Sequence, residues 1–182
     1  MKRLWKIFKV FLLIWGAMSL LLCLALGGCI FFSNMPKLFD MPSASNELAS
    51  KNDVRFVLNW ANLGDDRIEE VVHSYASQRS FTGDHLDGHA IRVSHLDVSD
   101  LEKSGREWQR GDSLTGVTKE AVDLAIGSRQ EMPWFPTANE IRSPAMYAFV
   151  RSVRYTGTHP TAVQIIFANP DTKMVYYLSL RT

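Results

Sequence analysis

The chain has 182 residues, a length that fits one ordinary domain with an appendage rather than several domains. Charged residues make up 21% and hydrophobic residues 46%, a balance that excludes both a wholly disordered chain and a multispanning membrane protein. The formal net charge is +1, but four of the 20 basic residues lie in the first nine positions, so the rest of the chain is slightly acidic and nucleic acid is disfavoured as its partner.

The first predicted element is a membrane segment. Residues 1–9 form a short basic region, and residues 10–32 follow without a single charged side chain. About 20 apolar residues cross a bilayer core as a helix, and this stretch lacks the polar face that a soluble helix needs. Because positive charge stays on the cytoplasmic side, we expect the N-terminus inside and residues 33–182 exported to a bacterial periplasm or cell surface.

The end of the apolar segment leaves its processing open. Leu26-Gly27-Gly28-Cys29 resembles the lipobox of bacterial lipoprotein precursors, and the resemblance implies cleavage before Cys29 and lipidation of that cysteine. An uncleaved transmembrane helix and ordinary signal cleavage are the alternatives, because the apolar run before Cys29 is longer than a usual signal core and continues beyond it. Lipidation and an uncleaved helix would both tether the protein to a membrane.

The positions of the two cysteines and of a proline-containing stretch indicate how the chain after the apolar segment is organised. Cys23 and Cys29 both lie in the apolar segment, so the exported part has no disulfide and depends on its core for stability. Residues 33–51 contain two prolines among Ser, Asn and Ala and are predicted to form a linker. Residues 52–182 then form a single exported domain.

Residues 53–63 begin the domain with an ambiguous pattern. Apolar residues alternate there as in a strand, but Phe56 and Trp60 also fit helical spacing. Asp53 is a suitable N-terminal cap and Gly64 a suitable stop, which favours a helix.

Two further helices are predicted from apolar stripes. In residues 66–78 the stripe recurs at i, i+3, i+4 and i+7, and its members are Ile68, Val71, Val72 and Tyr75. Asp66 and Glu69 fit a capping box at the start of that helix. Residues 118–128 also carry an apolar stripe, with acidic side chains off it, and are predicted to be helical.

Four strands are predicted from runs of β-branched and aromatic residues, at residues 89–96, 146–155, 162–167 and 174–180. Short connections with turn-forming residues separate the last three, which favours antiparallel neighbours. We therefore expect an α+β domain, in which a C-terminal three-strand antiparallel meander is joined by the first strand and two or three helices pack on one face.

A cluster of imidazole and carboxylate groups lies at the first predicted strand. His85, Asp87 and His89 alternate, so in an extended segment their side chains share one face, and these are the ligand types that zinc and other divalent metals prefer. That interpretation predicts a small metal-dependent envelope enzyme. The alternative is a polar loop in which Asp87 and Gly88 form a turn, and on that alternative, which we favour, no cofactor is bound.

The remaining functional signals favour a non-catalytic protein. The glycines are scattered, and none forms a phosphate-binding loop after a strand. We expect a membrane-tethered envelope domain that binds another envelope protein, either as an immunity-type protein that neutralises an effector or as an accessory of envelope assembly. Aromatic residues of the domain either fill its core or form a binding patch, and the ones considered are Trp108, Trp134, Phe135, Tyr147, Tyr155, Tyr176 and Tyr177.

A reporter enzyme that is active only after export tests the predicted topology. Fused after Thr182, it should be active, because the basic residues before the apolar segment hold the N-terminus inside. A fusion made after Lys9 is the matched control and should be inactive. A Thr182 fusion that is well expressed but inactive would contradict the predicted orientation.

Overall fold

The computed structural model describes Trp15, Met18, Ser19 and residues 44–182. The basic region at 1–9, the rest of the predicted membrane segment at 10–32, Cys29 and residues 33–43 of the predicted linker lie outside the described residues. Among the residues that are described, no helix combines the length and the apolar character needed to cross a bilayer.

Six strands form one antiparallel sheet in the order β1-β2-β6-β5-β4-β3. Their bounds are Ile68–Ala76 (β1), His85–Val93 (β2), Gln109–Arg110 (β3), Tyr147–Thr156 (β4), His159–Asn169 (β5) and Met174–Arg181 (β6). The antiparallel β4–β5–β6 meander and the pairing of β6 with β2 confirm the predicted centre of the sheet.

Four α-helices accompany the sheet in residues 44–182, and their bounds are Lys51–Ala61 (α1), Val98–Lys103 (α2), Gly116–Ser128 (α3) and Ala138–Ile141 (α4). α1 and α3 confirm the helices predicted over residues 53–63 and 118–128. α1 begins with a capping box in which the Ser50 Oγ accepts from the Asp53 N–H at 3.3 Å and the Asp53 carboxylate accepts from the Ser50 N–H at 2.9 Å. Ser50, rather than Asp53, is therefore the N-cap.

The helices lie on both faces of the sheet, which corrects the prediction that they pack on one face. Ile166 of β5 packs with buried residues of α1, in what we call the α1-side core, whereas Ile165 and Phe167 pack with residues of α3, in the α3-side core. Successive strand residues point to opposite faces, so a central strand that is apolar at consecutive positions needs cover on both.

Residues 68–76 form strand β1, so the helix predicted over residues 66–78 is wrong. Pairing with β2 contains two register shifts, and one of them leaves Val72 as an extra residue between Val71 and His73. These irregularities break the strict alternation of a strand and give the apolar residues a spacing that resembles a helix. Ile68 and Val71 consequently belong to the α1-side core and Tyr75 to the α3-side core.

The aromatic residues are mostly packed. Phe135 is 2% and Tyr177 is 4% exposed, whereas Tyr155 is 41% exposed and its hydroxyl donates to the Glu120 carboxylate at 2.9 Å. The loop before β4 packs onto the domain, because Met132 and Ile141 are buried with Phe135 in the α3-side core. Most of the aromatic residues considered in the sequence are therefore packed in the core of this disulfide-free domain.

Aspartate substitutions at Val71 and Val72 distinguish the strand from a helix. Val71 is buried in the α1-side core, and Val72 lies half-buried in the bulge. Val71→Asp should lower the free energy of unfolding by about 3 kcal/mol or more, because it buries an unpaired charge, and Val72→Asp should cost clearly less. Urea unfolding measures the loss of stability in both variants. Equal losses would contradict the bulged strand, because they would indicate that Val71 and Val72 share the buried face of a helix.

Candidate functional site

The α1 side of the sheet changes from apolar to polar toward one end. Two rows of paired residues cross four strands there. One row consists of Ser152, Gln164, Ser179 and Asp87, and the next consists of Arg154, Ala162, Arg181 and His85. We call these the polar rows; a cavity of about 180 Å³ lies against them.

His85 is held by two hydrogen bonds within the polar rows. Its Nδ1 lies 3.0 Å from the carbonyl oxygen of Gly83, and because a carbonyl only accepts, Nδ1 carries the proton. Its Nε2 lies 3.1 Å from the Oγ of Ser179, so in the neutral ring this nitrogen accepts from the serine hydroxyl. The imidazole orientation and tautomer are therefore set by the chain itself.

Only one of the two carboxylate oxygens of Asp87 has a hydrogen-bond partner in the part of the chain that the structure describes. Its Oδ2 accepts from the Arg79 Nη2 at 2.9 Å and lies 4.0 Å from the His85 Nε2. Its Oδ1 is buried and has no hydrogen-bond partner among the described residues. A buried carboxylate oxygen without a donor is costly, so the Arg79 ion pair is what keeps this charge in place.

His89 belongs to an aromatic cluster instead. Its Nδ1 lies 3.1 Å from the Ser74 Oγ, and its ring stacks on Tyr177 with centroids 6.0 Å apart and planes 12° apart. Burial lowers the pKa of His89, an effect that the carboxylates of Asp87 and Asp53 oppose. Burial likewise raises the pKa of Tyr177.

The three predicted metal ligands share one face, but their ligand atoms are not gathered. β2 begins at His85, four residues before the predicted strand, and His85, Asp87 and His89 alternate along it. In residues 44–182, the group whose His and carboxylate ligand atoms all lie within 4.8 Å of one another is His95, Asp97 and Asp100. The metal interpretation at His85 stays a hypothesis without a described feature that favours it.

The His95 group is better explained as the start of helix α2. The Asp97 N–H donates to the Asp100 Oδ2 at 2.8 Å, which is one half of a capping box. The same oxygen lies 3.0 Å from the Arg67 Nη1 and 3.4 Å from the His95 Nε2. Arg67 already balances this carboxylate, so helix capping accounts for the cluster.

Ser179 and His85 have the contact of a nucleophile and its base, but their surroundings do not complete a catalytic site. Ser179 is 5% exposed and lies in β6 between β2 and β5. Backbone N–H groups of such a central strand are used in the sheet ladder and are not available to bind an oxyanion. The strands around the pair therefore do not supply the oxyanion donors that a nucleophilic serine needs.

A recess of about 620 Å³ lies between the β1–β2 turn and the end of α3. The Tyr75 hydroxyl donates to the Glu131 carboxylate there, and this hydrogen bond together with burial raises the pKa of Tyr75 to about 12. At neutral pH the Tyr75 hydroxyl therefore stays protonated and can donate. This contact links β1 to the segment after α3 at the recess.

A second surface lies at the outer edge of β4. β3 pairs only with Tyr147 and Ala148, and in residues 44–182 no strand and no other backbone hydrogen bond covers the outer edge from Phe149 to Thr156. Residues 105–107 and 117–118 form walls around a cavity of about 400 Å³ along part of this edge. We call this edge and its walls the β4 groove.

The β4 groove is electropositive. The guanidinium carbon of Arg106 lies 5.8 Å from the centre of the Phe149 ring and that of Arg151 lies 5.4 Å from the centre of the Trp60 ring, and neither has an ion pair in the described part of the chain. α3 begins at the groove wall with no acidic residue in its first turn, so its free N–H groups add partial positive charge. Glu107 is the acidic residue that lines the groove.

Comparison with protein-family models, with curated proteins and with solved structures gives no match for this chain.

The depressed pKa of His89 predicts a pH dependence of stability. Unfolding restores the ordinary value of 6.5, so below it the unfolded chain takes up a proton that the folded chain does not. The free energy of unfolding should fall as the pH drops from about 6.5 toward the folded pKa, by at most about 1.4 kcal/mol per pH unit from this group.

Urea unfolding at about pH 7.5 and about pH 5.5 measures this effect. His89→Gln should reduce the fall, because the ring that must stay neutral is gone. His159→Gln, which removes an exposed histidine at the start of β5, is the control and should retain the fall. The same fall in the parent protein and in His89→Gln would contradict the assignment.

Proposed function

We propose that this protein is a membrane-tethered protein of the bacterial cell envelope, whose domain lies outside the cytoplasm and binds another protein without catalysing a reaction. The observation that carries the proposal is the β4 groove, an unpaired strand edge with walls on both sides. The tether and the orientation rest on the charge-free segment at residues 10–32 and the basic residues before it.

Strand addition is the binding mode that this geometry favours. An unpaired edge presents a row of N–H and C=O groups, and an extended segment of a partner pairs with them as an additional strand. The open edge from Phe149 to Thr156 is long enough for a partner strand of ordinary length. Side chains of that segment would then contact the groove walls at residues 105–107 and 117–118.

The charges of the groove favour a different protein over a second copy of this chain. Two copies that paired edge to edge would bring Arg151 of one close to the arginines of the other, and like charges directly opposite destabilise a strand pair. An acidic extended segment would instead neutralise Arg106, Arg151 and the start of α3. An effector that is neutralised and a partner in envelope assembly both satisfy this requirement.

A photo-crosslinking residue at Val153 tests the proposal in cells that make the full-length chain. Val153 lines the β4 groove and is half-buried. We expect one discrete adduct with another envelope protein, because a partner strand would lie against this position. A crosslinker at Asp171, in the exposed β5–β6 turn, is the positional control and should give no such adduct.

Charge reversal separates specific binding from chance contact. The double variant Arg106→Glu, Arg151→Glu should abolish the Val153 adduct, because an acidic partner would then meet two added negative charges. Lys51→Glu, an equal change of charge per site at an exposed residue at the start of α1, should leave the adduct unchanged. An adduct that survives the double variant, or equal adducts at both crosslinker positions, would contradict binding in the groove.

A further inference from the structure

The register of the sheet places two arginines on either side of one alanine. Arg154 of β4 pairs with Ala162 of β5, and Ala162 pairs with Arg181 of β6. Paired residues in adjacent strands share a face, and strands are about 4.8 Å apart, so the two arginines begin about 10 Å apart with the smallest side chain between them. The cavity of about 180 Å³ is the space that results, and all three residues line it.

The charge of this cavity is not balanced by an ion pair. Neither Arg154 nor Arg181 lies within 4.0 Å of a carboxylate in the described part of the chain. Two carboxylates are close enough to matter. Arg181 lies near Asp84 and lowers its pKa, and Asp87 belongs to the neighbouring row but is already paired with Arg79.

Neutral hydrogen-bonding groups complete the lining. Ser152 and Gln164 are cross-strand neighbours, and the Ser152 hydroxyl donates to the Gln164 Oε1 at 3.0 Å. This bond fixes the amide so that its NH₂ group only donates; that group interacts with the Tyr177 hydroxyl, partly offsetting its raised pKa, and has a second N–H for another acceptor. The Ser179 Oγ and the His85 ring, held by their mutual contact, line the same cavity.

We propose that this cavity is a binding site for a single oxyanion group, the phosphate or the carboxylate of a small molecule. Paired guanidinium groups with an additional N–H donor, here the Gln164 amide, are the chemistry that recognises such groups. The cavity is large enough for one such group with a few waters and too small for most of a larger ligand. The site does not depend on the proposed strand addition. The side chains that line it lie on the face of the sheet, whereas strand addition would use the backbone groups at the edge of β4.

Titration calorimetry on the full-length chain, in uncharged detergent micelles and in buffer free of phosphate, tests the proposal. Inorganic phosphate is the probe in one arm and acetate in the other. We expect saturable binding at one site, and the probe with the lower dissociation constant is the oxyanion that the site selects. No saturable binding in either arm would overturn the proposal.

Three variants locate the site. Arg154→Gln and Arg181→Gln should each weaken binding about tenfold or more, because each removes a charge-assisted hydrogen bond. Ala162→Leu should abolish binding without any change of charge, because it fills the space between the arginines. Lys51→Gln removes one positive charge elsewhere and should leave the affinity unchanged.

Thermal melts of each variant show that it is folded. Arg154 is exposed, so Arg154→Gln reports on binding even if Ala162→Leu disturbs the sheet. Unchanged affinity in Arg154→Gln, or in a folded Ala162→Leu, would overturn the proposal.

Discussion

The pairing of β5 with β6 is the contact on which the rest of the domain depends. Ile165 and Leu178 face the α3-side core, while Ile166 and Tyr177 face the α1-side core, so this central pair is apolar on both faces. Apolar burial contributes about 25 cal/mol per Å², and in a domain without disulfides it is the main source of stability. Both faces must therefore be covered, which explains why α1 and α3 lie on opposite sides.

The same two strands also define where the core ends. Two residues along from Ile166 and Tyr177, the α1 side carries Gln164 and Ser179, which cannot contribute to an apolar core. These groups lie next to Asp87 and His85, and the His85–Ser179, Arg79–Asp87 and Ser152–Gln164 contacts give each of them a hydrogen-bond partner, although the Asp87 Oδ1 has none among the described residues. The α1 side of the sheet thus ends in hydrogen-bonded polar groups beside a cavity of about 180 Å³.

Sequence reasoning succeeded where structure follows from local pattern. The meander and α3 were predictable because turn residues and an apolar stripe identify them within short windows. It failed at β1, since the extra residue Val72 gives a bulged strand an apparently helical spacing. It also missed the second covered face, because consecutive apolar residues in β5 do not show which helix will cover each side.

The candidate sites also differ in how far local sequence pattern predicts them. Alternation along one strand predicted that His85, Asp87 and His89 share a face, and β2 shows that arrangement. The row of Arg154, Ala162, Arg181 and His85 comes from four strands, and its register follows from pairings between residues far apart in sequence.

For a chain tethered as proposed, copies confined to one membrane would meet often, and the open edge of β4 would allow strand pairing between them. On the proposed function, Arg106 and Arg151 would oppose that pairing while leaving the edge open to an acidic segment, so one set of charges would both disfavour self-association and select the partner.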